Sequence, residues 1–298
     1  MGSYLSTAKF VELSLLPMLG INKRKTAERL ANSGINHIQT TRRPTKREME
    51  ILNEVFRINP KIIFRLYGLS EKDSDISYLS ELPDLRALSL ELYYEVKNIE
   101  VLYELALEDL TLACFGLKDY SFLRDLSPSL KCLTVDLEDK TYRMDVSDIL
   151  HMTGLESMAL RNVKRGLDKI GEFKNLKELY LRSVDIKDYG FLREMGVRKI
   201  YLSFQNVEYF NTFGINESIE EVSLWMNKKL TDLSFLLQFP NLKKIIISNQ
   251  KRVEAIPDLT GLQTLEEIYF LDRDAEEIRA CCNPWVKIHT GYNPVDIS

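Results

Sequence analysis

Cysteine is scarce in this 298-residue chain, at Cys114, Cys132, Cys281 and Cys282 only. None belongs to a C-x-x-C pair, and no histidine lies close by in sequence, so neither a disulfide framework nor a zinc site is indicated. The four read as reduced, structural cysteines of a cytosolic protein. The adjacent Cys281 and Cys282 could pair only through a strained disulfide. Histidine is scarcer still. His37, His151 and His289 lie in separate parts of the chain and have no means of converging. A phosphate-binding glycine loop, metal-ligand spacing and a nucleophile elbow are all missing. Carboxylates are plentiful but scattered. These absences exclude a dedicated catalytic domain and call for no cofactor, no metal and no small-molecule substrate.

Long hydrophobic runs are missing as well. No segment reaches the ~20 apolar residues that cross a bilayer. The most apolar stretch, Phe10 to Gly20, contains Glu12 and Pro17 and lacks a basic leader and a small-residue cleavage site. Neither a transmembrane segment nor a secretory signal is expected, and a cytoplasmic location follows. Met1-Gly2-Ser3-Tyr4-Leu5-Ser6 fits the acylation pattern M-G-x-x-x-[ST], but the pattern is short and common, and a plain N-terminus is the simpler reading.

The net charge of −4 is unevenly spread. Residues 1–60 hold ten Lys/Arg against five Glu, a balance of +5, which leaves −9 on the remainder. An acidic body argues against nucleic acid wrapped along it.

What the chain does have is repetition. Between residues 60 and 275 the pattern L-x-x-L-x-L occurs ten times. Clear copies begin at Leu85, Leu107, Leu130, Leu155, Leu176, Val197, Ile219, Leu242 and Leu265, spaced by 21 to 25 residues. A degenerate first copy contains Phe64 and Leu66. A period in that range means a stacked solenoid. In Leu176-Lys-Glu-Leu179-Tyr-Leu181-Arg182, alternation puts Leu179 and Leu181 on one face of a strand and Glu178, Tyr180 and Arg182 on the other. Every crossover returns the chain in the same sense, so the strands pair in parallel and their apolar faces merge into one core.

The crossovers carry a second signature, D-x-[SG]-[FY]-L, beginning at Asp75, Asp119, Asp188 and Asp232. Asn98-Ile-Glu-Val-Leu102 is a looser copy. The Asp is expected to cap a short helical turn, with the aromatic and the Leu turned into the core. There is room for 3₁₀ or one- to two-turn helices and no more.

With strand and crossover both repeating, residues 61–290 resemble the leucine-rich repeat superfamily, and most of all its short-repeat, internalin-like class. The resemblance implies an α/β, right-handed leucine-rich repeat solenoid, a horseshoe with a parallel concave sheet and short convex turns. It also implies that partners bind on the concave face. One departure stands out. The family's ninth repeat position carries an asparagine that builds a hydrogen-bonded ladder. Here only Asn227 keeps it, with Phe115, Val163, Val184, Gln205, Gln250 and Arg273 at the equivalents. Packing is expected to replace the ladder.

The outward strand positions are small or acidic in the first half: Ala87, Ser89, Glu91, Asp109, Thr111, Ala113, Thr134 and Asp136. In the second half they become large. Arg161, Glu178, Tyr180, Arg182, Lys199, Tyr201, Glu221, Trp225, Lys244 and Tyr269 stand there. Tyr, Trp and Arg dominate interface energetics, so this group, with Trp225 exposed beside Tyr201, is the expected partner-binding site. Ten strand spacings of about 4.8 Å make a face roughly 50 Å long, which suits a folded protein or a long peptide. Tyrosine also simply favours strands, which is the plain structural account of the same residues.

The ends differ from the middle. Residues 1–60 are expected to form a helical N-terminal cap, residues 61–274 the repeats, and residues 275–298 a closing cap with a short helix and a final strand from Trp285 to His289. Thr45-Lys-Arg-Glu48 is a capping box and opens one helix, and Thr26 to Ser33 reads as another, stopped by Gly34. Lys23, Arg24, Lys25, Arg42, Arg43, Lys46 and Arg47 allow an alternative, a nucleic-acid-binding regulator built on a helix-turn-helix. Only nine residues separate Gly34 from Pro44, too few for a recognition helix and its turns. The favoured reading is a non-enzymatic module that recognises a protein, such as an adaptor or a toxin-inhibiting immunity protein.

Overall fold

The computed structural model describes residues 9–14, 22–210 and 214–291. The acylation motif at Met1–Ser6 and the closing Asn293-Pro294 lie outside the described residues. Two compact units divide the chain, one within residues 1–144 and one within residues 145–294.

In the first unit six strands pair in chain order, all parallel. They are β1 (Phe10–Glu12), β2 (His37–Thr40), β3 (Ile63–Tyr67), β4 (Ala87–Leu92), β5 (Asp109–Cys114) and β6 (Cys132–Asp136). In the second, β7 (Ser157–Arg161), β8 (Glu178–Arg182), β9 (Lys199–Ser203), β10 (Glu221–Trp225), β11 (Lys244–Ser248), β12 (Glu267–Phe270) and β13 (Lys287–His289) do the same. The ten strands expected from the repeat are β3 to β12. Within each unit the sequence therefore builds the parallel, one-strand-per-repeat stack of a leucine-rich repeat fold, with inward Leu and Ile residues meeting their counterparts one repeat away. Leu179, Ile200, Val222, Ile245 and Ile268, for example, form one continuous buried row.

The described part of residues 1–60 holds two helices and also supplies strands. The helices are α1 (Lys23–Ala31) and α2 (Lys46–Ile58), which pack on each other. Asn22 caps α1 by accepting from the Lys25 amide, so the helix starts three residues before Thr26. Thr45 and Glu48 form the capping box of α2, and Glu48 also takes both Arg42 guanidinium nitrogens at 2.9 and 2.7 Å. The added strands β1 and β2 were hidden because FVE and HIQT are too short to show the repeat pattern. At the other end, α3 (Ala275–Arg279) precedes β13, which is two residues shorter than the run from Trp285 to His289.

The crossovers follow the Asp signature. Asp75, Asp119, Asp188 and Asp232 accept from the amides of Ser77, Ser121, Gly190 and Ser234 at 2.7 to 2.9 Å. Short 3₁₀ turns follow at Ser77–Glu81, Ser121–Asp125, Gly190–Glu194 and Ser234–Gln238. The core residues are placed differently from expectation. The position just after the Asp, occupied by Ile76, Tyr120, Tyr189 and Leu233, is buried in all four copies, as is the Leu. The aromatic is buried only at Tyr78 and Phe235, while Phe122 and Phe191 keep part of their surface in solvent. A 3₁₀ turn has three residues per turn, so positions 2 and 5 of the motif eclipse and share the inward direction.

Each strand from β7 to β11 leaves the sheet through a left-handed residue: Asn162, Ser183, Phe204, Met226 and Asn249, with φ between 53° and 58°. The amides of Asn162, Ser183, Phe204 and Met226 donate to the last residue of the next strand at 3.0 to 3.1 Å. Phe and Met occupy this region at a cost of roughly 1–2 kcal/mol each.

The asparagine ladder is partly rebuilt rather than replaced by packing alone. Asn227 accepts from the Gln205 amide at 2.8 Å and donates to the Leu202 carbonyl at 3.0 Å. Gln205 donates in turn to the carbonyls of Leu181 and Ser203, each at 3.0 Å, and Gln250 donates to that of Ser248 at 3.1 Å. Glutamine, one methylene longer, still reaches a buried carbonyl. Val163 and Val184 are buried and supply the packing the sequence leads one to expect.

Candidate functional site

On each strand the residues between the core positions point away from the core. In the second unit the register sorts them into three rows. The first runs Glu178, Lys199, Glu221, Lys244, Glu267, Lys287 across β8 to β13, alternating in sign at every step. Lys199 pairs with Glu178 at 3.1 Å and Lys287 with Glu267 at 3.8 Å. Opposite charges on facing strands favour this register, and a slip by one strand position would lose them.

The second row is Ala159, Tyr180, Tyr201, Ser223, Ile246, Tyr269, His289. The Tyr180 and Tyr201 rings lie 6.0 Å apart. Tyr269 stacks on His289 at 4.1 Å and carries the Lys244 ammonium 5.0 Å over its face. Burial pushes the Tyr201 phenol above its ordinary pKa, with the Arg182 charge working against the rise.

The third row is Arg161, Arg182, Ser203, Trp225, Ser248. The Arg182 guanidinium lies 4.7 Å from the Phe204 ring and 5.5 Å from that of Trp225, and those two rings meet edge-on at 5.4 Å.

The register thus gathers the nine sequence-selected residues on one face of the second unit. Their exposure differs from expectation. Only Lys199 is exposed, and Arg161, Glu178, Tyr180, Arg182, Tyr201, Glu221, Trp225 and Tyr269 are half-buried. Trp225 is likewise half-buried, and its cross-strand partner is Ser203, while Tyr201 faces Ser223. Large side chains lean over small ones, so Ser203, Ser223, Ile246 and Ser248 are buried although they point outward. Phe204 was missed because it lies one residue past its strand, and its positive φ leaves no trace in an L-x-x-L-x-L pattern.

The outward face of the first unit holds a polar network that sequence reading also missed. Arg65 on β3 makes a two-pronged ion pair with Glu91 on β4 at 2.7 and 2.6 Å and donates to Gln39 on β2 at 2.8 Å. Gln39 donates to Glu12 on β1, and the Tyr67 ring covers the guanidinium at 4.4 Å.

Asp109 on β5 sits between Ala87 and Cys132, and its carboxyl has no hydrogen-bonding or ionic partner among the described residues. Burial pushes its carboxyl up to about 6. A raised carboxyl pKa means that folding favours the protonated form. Asp109 therefore penalises the fold increasingly as pH rises from about 4 through about 6. Asp109→Asn is expected to stabilise the protein by about 2 kcal/mol at pH 7.5 and to change little at pH 4, a figure discounted for the part of the carboxyl left in solvent. Urea midpoints of both forms at the two pH values check this, and parallel pH curves would refute it.

Four of the ten basic residues of the first 60 form ion pairs among the described residues, Arg57 with Glu54 being one. Lys23 pairs with Glu50, Arg24 with Glu28 and Arg42 with Glu48. Arg43 lies over the Tyr78 ring at 5.1 Å. Between Gly34 and Pro44 runs β2, so no recognition helix occupies that span. Among the described residues no helix is long and apolar enough to cross a membrane.

No protein-family model matches the chain. No curated protein matches it either. Among solved structures it is similar to the leucine-rich repeat domain of the type III effector XopL, at 13% identity over 91% of this chain and 90% of that one, with a TM-score of 0.44. It is also similar to the functional domain of InlJ from Listeria monocytogenes, at 12% identity over 88% of this chain, with a TM-score of 0.45. The chain spans 58% of that InlJ domain.

Proposed function

We propose that this leucine-rich repeat solenoid is a non-enzymatic recognition module that binds a protein partner on the outward strand face of its second unit, around Tyr180, Arg182, Tyr201 and Trp225. The observation that carries the reading is the mutual support of these side chains. Tyr180 touches Tyr201, and Arg182 lies against the rings of Phe204 and Trp225, which also touch each other. Side chains already held in place lose little freedom on binding, so more of their contact energy becomes affinity. A row of neutralised charges beside them supplies a polar rim. In its narrower form the module is a cytoplasmic adaptor or inhibitor, of which a toxin-blocking immunity protein is one kind.

The test is capture of a partner from native cytosol by wild type and by a Tyr201→Ala, Trp225→Ala double variant, both verified as folded. A partner seated on this face is expected to bind the variant at least about 30-fold more weakly, since two central aromatic anchors are gone. Equal capture by both forms would remove this face from consideration.

A further inference from the structure

The outward face of the first unit is short of positive charge. Residues 61–144 hold sixteen Asp/Glu against ten Lys/Arg, so −6 of the −9 carried beyond residue 60 falls there. On the outward positions of β1 to β6 stand Glu12, Glu91, Asp109 and Asp136 against one guanidinium, that of Arg65, which Glu91 already takes. Burial and the Arg65 charge lower the pKa of His37, so its imidazole adds no cation at neutral pH.

A second observation is how this face treats its buried charges. Where a charge belongs to the fold it is answered, as Arg65 and Glu91 answer each other through two hydrogen bonds. Asp109 is not answered. It is half-buried between Ala87 and Cys132, and its carboxyl has no hydrogen-bonding or ionic partner among the described residues. A carboxylate drawn out of water with nothing facing it costs stability, and the fold alone offers no return for that cost. An arriving cation does.

The third observation lies at the other end of the same strands. Tyr93 follows Glu91 by two residues and Phe115 follows Ala113 by two, so both continue the outward row past the strand ends. Their rings lie 5.7 Å apart, and Tyr93 meets Tyr67 edge-on at 6.4 Å. Gly68 leaves room for this packing, since a Cβ there would come within 3.3 Å of the Tyr93 ring. Tyr93 is thus held by two neighbours and is still 49% exposed, with the exposed carboxylate of Glu95 two residues on. An exposed tyrosine face near carboxylates attracts cationic side chains. Arg65, 4.4 Å from the Tyr67 ring, makes that contact within the fold.

We infer that a basic, extended segment of a partner protein docks across β4 and β5, one of its cationic side chains meeting the Asp109 carboxylate and another lying on the Tyr93 ring near Glu95. Asp109 is in register with Ala87, six residues before Tyr93, so the two ends lie roughly 20 Å apart. An extended peptide covers that span in about six residues. The floor between is low, formed by Ser89, Thr111 and Ala113. The surface lies wholly within the first unit and stands or falls independently of the strand face proposed in the second.

The experiment is a calorimetric titration of the full chain at pH 7.5 and low salt. The probe is a capped octapeptide with an Arg-Arg pair at each end of a Gly-Ser-Gly-Ser spacer. Its glutamine-for-arginine counterpart and spermine are parallel arms. Saturable binding of the arginine peptide and none of the glutamine peptide is expected. Asp109→Asn should weaken binding at least about 10-fold while raising the urea midpoint, a combination that a purely structural aspartate would not give. Tyr93→Leu should weaken it about 3- to 10-fold and Tyr93→Phe should not, because phenylalanine keeps the ring face and leucine keeps only apolar bulk. Glu100→Gln, the same charge change in the crossover after β4, should alter affinity less than about 2-fold. Urea curves confirm that every variant is folded.

Equal binding of the arginine and glutamine peptides overturns the inference. So does a loss in Asp109→Asn no greater than in Glu100→Gln, or unchanged affinity in Tyr93→Leu. Saturation by spermine at lower concentration than the peptide overturns it by assigning the surface to a free polyamine. Sedimentation velocity of the full chain alone supplies a further check, since self-association that Asp109→Asn abolishes would make a second copy the occupant and overturn the assignment to a partner.

Discussion

Replacing Asn227 with alanine is expected to destabilise the protein by about 4 kcal/mol. The side chain is 1% exposed. Its amide oxygen serves the Gln205 backbone N–H and its amide nitrogen serves the Leu202 carbonyl, both belonging to the preceding repeat. Alanine strands both groups without water, each at about 1–3 kcal/mol, and adds a cavity. Asn227→Asp should fare no better, since it exchanges the donor for a buried charge. The loss should show as a lower urea midpoint followed through Trp225, two residues away. A midpoint shift worth less than about 1 kcal/mol would mean that the repeat closes over the gap and that Asn227 is not a structural tie.

Breaking the Arg65–Glu91 pair is the second large effect. Their side chains are 8% and 15% exposed, so Glu91→Gln leaves a guanidinium nearly out of water with its charge unmatched. The expected cost is about 3–5 kcal/mol. Removing both charges by Arg65→Met with Glu91→Leu is expected to cost much less than Glu91→Gln alone, because the desolvation of two ions disappears along with their attraction. A double-mutant cycle on chemical unfolding measures the coupling. Strict additivity of the two single changes would show that the pair interacts weakly despite its geometry.

Of these residues, Asn227 was legible in its role and Arg65 was not. Asn227 was recognised as a family-type asparagine, but the glutamines at 205 and 250 looked like losses of the ladder. Their extra methylene lets them bond buried carbonyls all the same, a matter of reach that residue identity does not reveal. Arg65 lies in the degenerate first copy, at an outward position whose partners sit 26 residues away on either side in sequence. Periodicity finds strands, and it says nothing about which outward side chains interlock.

The strands themselves were legible for a physical reason. A buried parallel strand needs Leu or Ile at alternate positions, and ten copies repeat that need with little variation. β1 and β2 escaped because three or four residues cannot display an alternation. The face of the second unit was legible as a set of residues, since alternation alone assigns Tyr180, Tyr201 and Trp225 to it. Its depth was not. Half-burial of Trp225 and full burial of Ser203 arise from neighbours leaning across strands, and those neighbours are 20 or more residues apart in sequence.

The left-handed corners at Asn162, Ser183, Phe204 and Met226 bear on how the second unit comes apart under tension. Each corner amide is fastened to the strand that follows it, so a strand is clamped from one side by its predecessor's corner. β13 has only β12 beside it among the described residues and lies next to the pulled end. A load applied there peels the sheet one rung at a time toward β7, as a zipper opens, and each rung that lets go pays out one repeat of some 21 to 25 residues, roughly 75 Å of slack chain. The unit is expected to resist force by successive yielding, each rung that lets go leaving the remaining clamps intact.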